Sequence, residues 1–227
     1  MERVITYVDG FNLYYGLKAA NWRRYYWLDL VALARQFLSK NQRLDQVKYF
    51  TAEIAGNNDK VTRQRTFLSA LSNHCKEGLK IIKGKYFKKS VTCYTHQFAS
   101  GRPNFSPCLN YHGFLCNGIL KVPEEKMTDV NIATAMLVDA FTDKFDTAFL
   151  LTGDTDLIPP IKAIMNMDSP KKIILLFPPK RISEDLKKLI GLQRCRYVKE
   201  KHLLQSLLPL DVTTADGSIL TKPPRWS

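Results

Sequence analysis

Two aspartates, Asp154 and Asp156, are separated by one residue in the segment 152–160, whose sequence is Thr-Gly-Asp-Thr-Asp-Leu-Ile-Pro-Pro. The apolar segment 147–151 comes directly before it, which predicts a buried strand followed by a turn at its carboxyl end. Leu157 then begins a predicted helix whose prolines fall in the first turn. Open α/β sheets bind ligands at the carboxyl ends of their strands, and carboxylates crowded there favour Mg²⁺ or Mn²⁺. For this segment alone, an aspartate-rich turn with a helix N-cap is the alternative.

Two further carboxylates occupy comparable positions. Asp9 follows a predicted strand, Val4–Val8, and Asn12, three residues later, could orient a substrate or a metal-bound water. Asp129 falls in the first turn of a predicted helix, where the helix dipole favours an anion. The apolar positions that predict this helix are Val130, Ala133, Leu137 and Phe141. An Asp-Gly turn or a helix-start carboxylate is weak evidence alone, but three such sites in one α/β chain favour a shared acidic cluster.

This ordered set of motifs resembles the NYN domain of the LabA-like group, a branch of the PIN-like nucleases. The resemblance is carried by segments 7–13, 125–130 and 152–157, and it extends from about Val4 to the region of Tyr197, with the C-terminal segment 216–226 also similar to bacterial members. It implies a Rossmann-like three-layer α/β fold with a mostly parallel sheet and metal-dependent cleavage of RNA. The residues it suggests for the acidic cluster are Asp9, Asp129, Asp154 and Asp156, with Asn12 beside them.

The chain departs from the pattern of its relatives at two motifs. Family members commonly carry serine where this chain has Thr152 and Thr155, and threonine keeps the hydroxyl group. Many members have Gly-Val-Asp where this chain has Met-Thr-Asp at 127–129, which leaves the carboxylate of Asp129 in place. Neither departure removes a group that the proposed chemistry needs.

The charge balance favours a polyanionic partner. The 227-residue chain has 34 Lys and Arg against 21 Asp and Glu, a net charge of +13, and its isoelectric point is near 9.5. Nucleic acid is the commonest partner for such a surplus, and we expect RNA, single-stranded or structured. A membrane surface is disfavoured because no long basic amphipathic helix is predicted. The start of the chain lacks a signal-peptide core and the cysteines number five, so a cytoplasmic protein with reduced or metal-bound thiols is expected. Homo-oligomerisation is left open.

The chain alternates predicted strands and helices, which indicates one α/β domain. We expect a nuclease domain over 1–208 and a C-terminal tail over 209–227, either mobile or laid over the domain surface. The predicted strands after the first are 47–52, 79–87, 147–151, 172–177 and a short one near Tyr197. The predicted helices are 28–38, 59–75, 157–167 and 183–190, in addition to the helices that follow Asp9 and Asp129.

Strand and helix patterns fail in the segment 90–123, which predicts an irregular insertion before the helix of Asp129. Its candidate metal ligands are Cys93, His96, Cys108, His112 and Cys116. Their spacing is compatible with a small structural zinc knuckle that uses the three cysteines and one histidine. An unmetallated loop with scattered thiols is the alternative. A zinc knuckle would give about one zinc per chain by elemental analysis.

Basic and aromatic residues alternate in the segment 22–27, Trp-Arg-Arg-Tyr-Tyr-Trp. If the segment lies beside the acidic cluster, its rings could stack on unpaired bases while Arg23 and Arg24 hold phosphates. The equal alternative is that Trp27 and one tyrosine pack into the core while the arginines face solvent. Further candidate phosphate contacts are Lys83, Lys85, Lys88, Lys89, Lys180 and Arg181, although a basic residue taken singly is more often a solvated surface residue.

The sequence favours a metal-dependent ribonuclease, and an endonuclease in particular. The four aspartates would hold Mg²⁺ or Mn²⁺, and Asn12 with the hydroxyls of Thr152 and Thr155 would position a water or a phosphate oxygen. A non-catalytic RNA-binding regulatory protein that retains the fold is the alternative from another class. A phosphohydrolase acting on small nucleotides is a third, which the net charge of +13 disfavours.

Overall fold

The computed structural model describes residues 1–54, 59–92 and 119–226. Its main sheet has seven strands in the order β4-β3-β2-β1-β5-β6-β7. The strands are β1 (Glu2–Asp9), β2 (Gln42–Ala52), β3 (Leu79–Thr92), β4 (Ile119–Lys126), β5 (Thr147–Leu151), β6 (Lys172–Phe177) and β7 (Cys195–Tyr197). Six of them pair in parallel, and β4 pairs antiparallel to β3 at one edge. The predicted α/β fold with a mostly parallel sheet is confirmed.

Helices cover both faces of the sheet. They are α1 (Gly10–Ala19), α2 (Leu30–Arg35), α3 (Asp59–Cys75), α4 (Thr128–Phe141), α5 (Ile158–Met165), α6 (Glu184–Ile190) and α7 (Glu200–Leu204). One core cluster joins the sheet to α1, α2 and α3, through Leu13, Leu30 and Leu71 among others. The other joins it to α4, α5 and α6, through residues such as Ile132 and Ile161. Because β1, β5 and β6 lie between these clusters, they are nearly continuous runs of apolar, buried residues.

The order of the strands creates a gap between helices at the centre of the sheet. The chain first proceeds outward from β1 to β4, and α4 then returns it to β5 on the other side of β1. Val8 pairs with Leu151, so the carboxyl ends of β1 and β5 lie side by side. Such a reversal of strand order is where open α/β sheets bind their ligands.

The buried face of α4 differs from the predicted one. Val130 and Phe141, which the helical pattern assigned to the apolar stripe, are 66% and 70% exposed. The buried positions include Ile132, Met136 and also Asp139. A charged side chain can occupy this face because Lys48 of β2 donates to Asp139 Oδ2 at 2.5 Å, and the hydroxyl of Tyr7 donates to the same oxygen at 2.6 Å. The predicted stripe was therefore wrong at two of its four positions, since Ala133 and Leu137 do pack against the core, and the helix itself was predicted correctly.

Strands β3 and β4 extend into both ends of the segment 90–123, where no strand was predicted. Ser90 pairs with Lys121 and Thr92 pairs with Ile119. The sequence did not predict these strand residues because they include lysines and a proline, which are typical of sheet edges as well as of loops. The candidate zinc ligands Cys93, His96, Cys108, His112 and Cys116 lie outside the described residues.

The C-terminal segment is laid over the domain, which was one of the two alternatives for it. Strands β8 (Asp211–Thr213) and β9 (Ile219–Thr221) form an antiparallel hairpin. Val212 belongs to the core cluster, and Trp226 packs its ring against Tyr26 and Trp27. Within the described residues, no helix combines the length and apolar character that crossing a membrane requires.

Candidate active site

Asp9 is the last residue of β1 and the N-cap of α1. Its Oδ1 accepts the backbone N–H of Asn12 at 2.9 Å, and its Oδ2 accepts the Asn12 side-chain amide at 2.8 Å. The next residue, Gly10, has no room for a side chain, because a Cβ at this position would lie 2.5 Å from the carbonyl oxygen of Phe50. The carboxylate is only 1% exposed. The strand end and the helix start thus fix a buried carboxylate in one orientation.

The segment after β5 is bonded directly to Asp9. The buried Thr152 hydroxyl donates to Asp9 Oδ2 at 2.8 Å and accepts the backbone N–H of Asp154 at 3.1 Å. The backbone N–H of Gly153 donates to the side-chain oxygen of Asn12 at 3.2 Å. A Cβ on Gly153 would lie 2.1 Å from the carbonyl oxygen of Arg181, so this turn is packed against the loop after β6. Thr152 and Asn12 therefore act as bridges that set the spacing of the acidic side chains.

Three of the four predicted acidic residues come together. Asp129, in the first turn of α4, joins Asp9 and Asp154, and each of the three offers an oxygen within 4.8 Å of the others. Burial raises the pKa of Asp9 above its ordinary value, and the negative charge of Asp154 raises it further, against the hydrogen bonds from Asn12 and Thr152. A divalent cation would remove both penalties, and an all-oxygen donor set suits Mg²⁺ or Mn²⁺. The residues present therefore fit such a metal.

Asp156 does not belong to this three-residue group. It is exposed, and its backbone N–H donates to Asp154 Oδ1 at 3.0 Å. Its contribution in the structure is to orient Asp154 through the main chain. Thr155, one residue earlier, is also exposed.

A cavity of about 340 Å³ opens over the acidic group. Besides the three aspartates and Asn12, it is lined by Phe11, Tyr15, Tyr86 and Arg181. The three rings were missed in the sequence, although Phe11 and Tyr15 are one helical turn apart and follow Asp9 directly. Arg181 was noted as one of several basic residues, and only the loop after β6 brings it here.

The segment 22–27 contributes rings to the core and does not bring its arginines to the cavity. Tyr25 and Trp27 are buried in the core, and Arg24 forms an ion pair with Glu200 of α7. Neither Arg23 nor Arg24 is among the described residues that line the cavity. The structure thus shows the packing alternative for the rings of this segment.

The fold and the site define an α/β protein with an acidic cluster, able to bind a divalent cation, at the switch point of a parallel sheet. The family model of the NYN domain matches residues 3–190, so the chain belongs to the NYN domain family, a family of PIN-like nucleases.

Two relatives extend this comparison. The chain is 28% identical over 183 residues to 6-hydroxy-3-succinoylpyridine 3-monooxygenase HspA of Pseudomonas putida. That match covers 71% of the chain but only 55% of the relative, so it spans about half of that protein's length. The fold is also similar to the crystal structure of VPA0982, a protein of unknown function from Vibrio parahaemolyticus. Its TM-score is 0.51 at 17% identity, over 91% of this chain and 96% of that one, which shows a shared fold alone.

Proposed function

We propose that this protein is a metal-dependent ribonuclease of the LabA-like group, which hydrolyses phosphodiester bonds in RNA. The observation that carries the proposal is the group formed by Asp9, Asp129 and Asp154, whose oxygens lie within 4.8 Å of one another. Three carboxylates so close repel one another unless a cation lies between them. A protein that only bound RNA would gain nothing from this arrangement, which disfavours the non-catalytic alternative.

The three aspartates would hold Mg²⁺ or Mn²⁺ in this site. When bound, such an ion lowers the pKa of a coordinated water and neutralises charge on the phosphoryl oxygens. Asn12 and Thr152 keep the carboxylate of Asp9 in place through its two oxygens. Because they already donate to Asp9, we assign them a positioning role and not direct contact with the substrate.

Hydrolysis of the phosphodiester adds one water molecule. The water oxygen forms a bond to phosphorus, the bond to the leaving oxygen breaks, and that oxygen takes up a proton. The guanidinium of Arg181 lines the same cavity and can hold a non-bridging phosphate oxygen. The described residues include no ion pair to Arg181, so its charge is available to a phosphate. The surplus of +13 over the whole chain fits a polynucleotide better than a small nucleotide.

The name of the Pseudomonas relative suggests a second candidate, a site for a small aromatic carboxylate. The observation that favours it is the lining of the cavity, where Phe11, Tyr15 and Tyr86 surround a space that Arg181 also faces. Such a ring could stack on the tyrosines while its carboxylate pairs with the guanidinium. Ring hydroxylation consumes dioxygen and a reductant, whereas hydrolysis consumes only water, so the two reactions are separable by what they consume.

End-labelled RNA incubated with the purified protein tests the proposal. We expect fragments in Mg²⁺ or Mn²⁺ and intact RNA in EDTA, without oxygen uptake. Binding without fragments in either ion would support the RNA-binding alternative. Oxygen uptake with 6-hydroxy-3-succinoylpyridine and a reductant, together with intact RNA, would support the second candidate.

A further inference from the structure

A second cavity, of about 310 Å³, adjoins the candidate active site and has no part in the chemistry described so far. It is lined by Glu53, Lys83, Gly84, Lys85, Tyr86 and Phe87. Tyr86 also lines the first cavity, so one side chain forms a wall of both. The two cavities are therefore neighbouring parts of one surface.

Strand β3 extends beyond the carboxyl end of β1, and Tyr86 lies on this extension. Asp9 pairs with Phe50 of β2, and Phe50 pairs with Ile82 of β3. Tyr86 is four residues beyond Ile82 on the same strand, so it lies past the level at which β1 ends. The second cavity is thus next to the carboxyl edge, where the acidic cluster lies.

The side chains of the second cavity suit one nucleotide unit. Phe87 is 52% exposed and lines the cavity, so its ring is accessible to a ligand there. Lys83 pairs with Glu53, whereas the ammonium of Lys85 is exposed and forms no ion pair with any described residue. A ring beside a free cation is the combination that proteins use for an unpaired base and its phosphate.

A similar combination lies on the opposite side of the acidic cluster. Tyr15 is 43% exposed, and the guanidinium carbon of Arg181 lies 5.8 Å from the centre of its ring. Arg181 follows β6, and Phe87 is on β3, and the sheet order puts these strands on opposite sides of β1 and β5. The cluster of Asp9, Asp129 and Asp154 is therefore flanked by two pairs, each with one ring and one cation.

We propose that the second cavity is a nucleotide subsite, on the other side of the scissile phosphate from Tyr15 and Arg181. An unpaired strand then lies across the acidic cluster, with nucleotides bound on both sides of the bond that is cut. This inference rests on the proposed nuclease function and adds to it. It predicts a preference for single strands, because paired bases cannot stack on these rings.

Binding is measured first, by fluorescence anisotropy with a labelled 12-nucleotide RNA in EDTA, so that no cleavage occurs. Phe87→Ala should weaken binding about tenfold, the effect of losing one stacked base. Lys85→Glu should weaken it by a similar factor and reduce the dependence of affinity on salt.

Matched controls come from the opposite side of the molecule. Phe141 is 70% exposed at the end of α4 that is remote from Asp129, and Lys40 is exposed just before β2 begins. Phe141→Ala and Lys40→Glu remove the same kinds of group and should leave affinity within about twofold, as expected for distant surface positions. Equal losses in the test and control variants would overturn the proposal.

Cleavage is measured second, with a single-stranded RNA and a duplex of the same sequence in Mn²⁺. We expect the wild-type protein to cut the single strand and to leave the duplex intact. If the duplex is cut at an equal rate, the subsite proposal fails and the nuclease proposal stands. If no RNA is cut but the Phe87 and Lys85 variants still lose affinity selectively, the nuclease proposal fails and the second cavity remains an RNA-binding site.

Discussion

The hydroxyl of Thr152 is the bridge between two acidic strand ends, and Thr152→Val removes it while nearly keeping the shape of the side chain. The group donates to Asp9 at 2.8 Å and accepts the N–H of Asp154 at 3.1 Å, in a position with no solvent exposure. We expect cleavage activity, or affinity for Mn²⁺, to fall by about 10- to 100-fold. That is the usual effect of losing a hydrogen bond that orients a metal ligand.

The stability effect of Thr152→Val is expected to be smaller. Asp9 Oδ2 still accepts the side-chain amide of Asn12, and the N–H of Asp154 is only part-buried. The cost should therefore lie near the lower end for a lost buried partner, about 1–2 kcal/mol. For a domain of this size, that corresponds to a fall in Tm of about 2–8 °C.

Thr152→Ser is the matched control, because it keeps the hydroxyl and loses only a buried methyl group. Its stability should fall by about 1 kcal/mol, similar to the valine variant, while its activity stays close to that of the wild type. Thermal unfolding and initial rates of RNA cleavage as a function of Mn²⁺ measure both. If the valine variant cleaves as well as the serine variant at every Mn²⁺ concentration, the hydroxyl has no bridging role and our account of the site is refuted.

Four other predictions follow from the structure. Gly153→Ala would place a Cβ 2.1 Å from a backbone carbonyl oxygen, so it should displace the turn and abolish cleavage in a protein whose circular dichroism stays native. Lys48→Met leaves the buried carboxylate of Asp139 without its cation, and urea denaturation should show a loss of about 3–5 kcal/mol; a neutral effect would contradict a stabilising ion pair. Hydrogen bonds from a neighbouring guanidinium lower the pKa of Asp146 from 3.8 to about 2, so the stability that Asp146→Asn removes should be complete above about pH 4 and vanish as the pH falls towards about 2; an increasing difference on acidification would refute it. RNA affinity should fall steeply between low and high salt because of the net charge of +13, and an affinity independent of salt would mean that the basic surface serves another partner.

The elements of the fold were largely readable from the sequence, because their signals are local. The strands 147–151 and 172–177 and the helix 59–75 are observed at the predicted residues. The two strands are short, continuous apolar runs, and the helix has apolar residues along one face. The acidic trio was also predictable, since carboxylates after strands or in the first turn of a helix are local features. The parallel sheet then brings them together at one edge.

What could not be predicted depends on contacts between distant segments. Asp139 is buried in α4 because Lys48, 91 residues earlier, pairs with it, and no periodicity of the helix reveals that partner. Arg181 reaches the cavity because its backbone packs on Gly153, a relation that depends on the crossing of two loops. Phe87 resembles any exposed edge residue until β3 is found to extend past the end of β1. These are tertiary relations, which local propensity does not encode.

The dependence of RNA cleavage on Mn²⁺, compared between the wild type and Asp154→Asn, tests the central claim most directly. We expect the wild-type rate to rise from zero in EDTA to saturation in Mn²⁺. Asp154→Asn should show no cleavage at any Mn²⁺ concentration, yet fold normally and melt at an equal or higher temperature without metal, because the repulsion with Asp9 is relieved. Asp168→Asn, an exposed carboxylate just before β6, is the control and should behave as the wild type. Wild-type turnover by Asp154→Asn, or cleavage by the wild type in EDTA, would contradict a metal-dependent mechanism at this cluster.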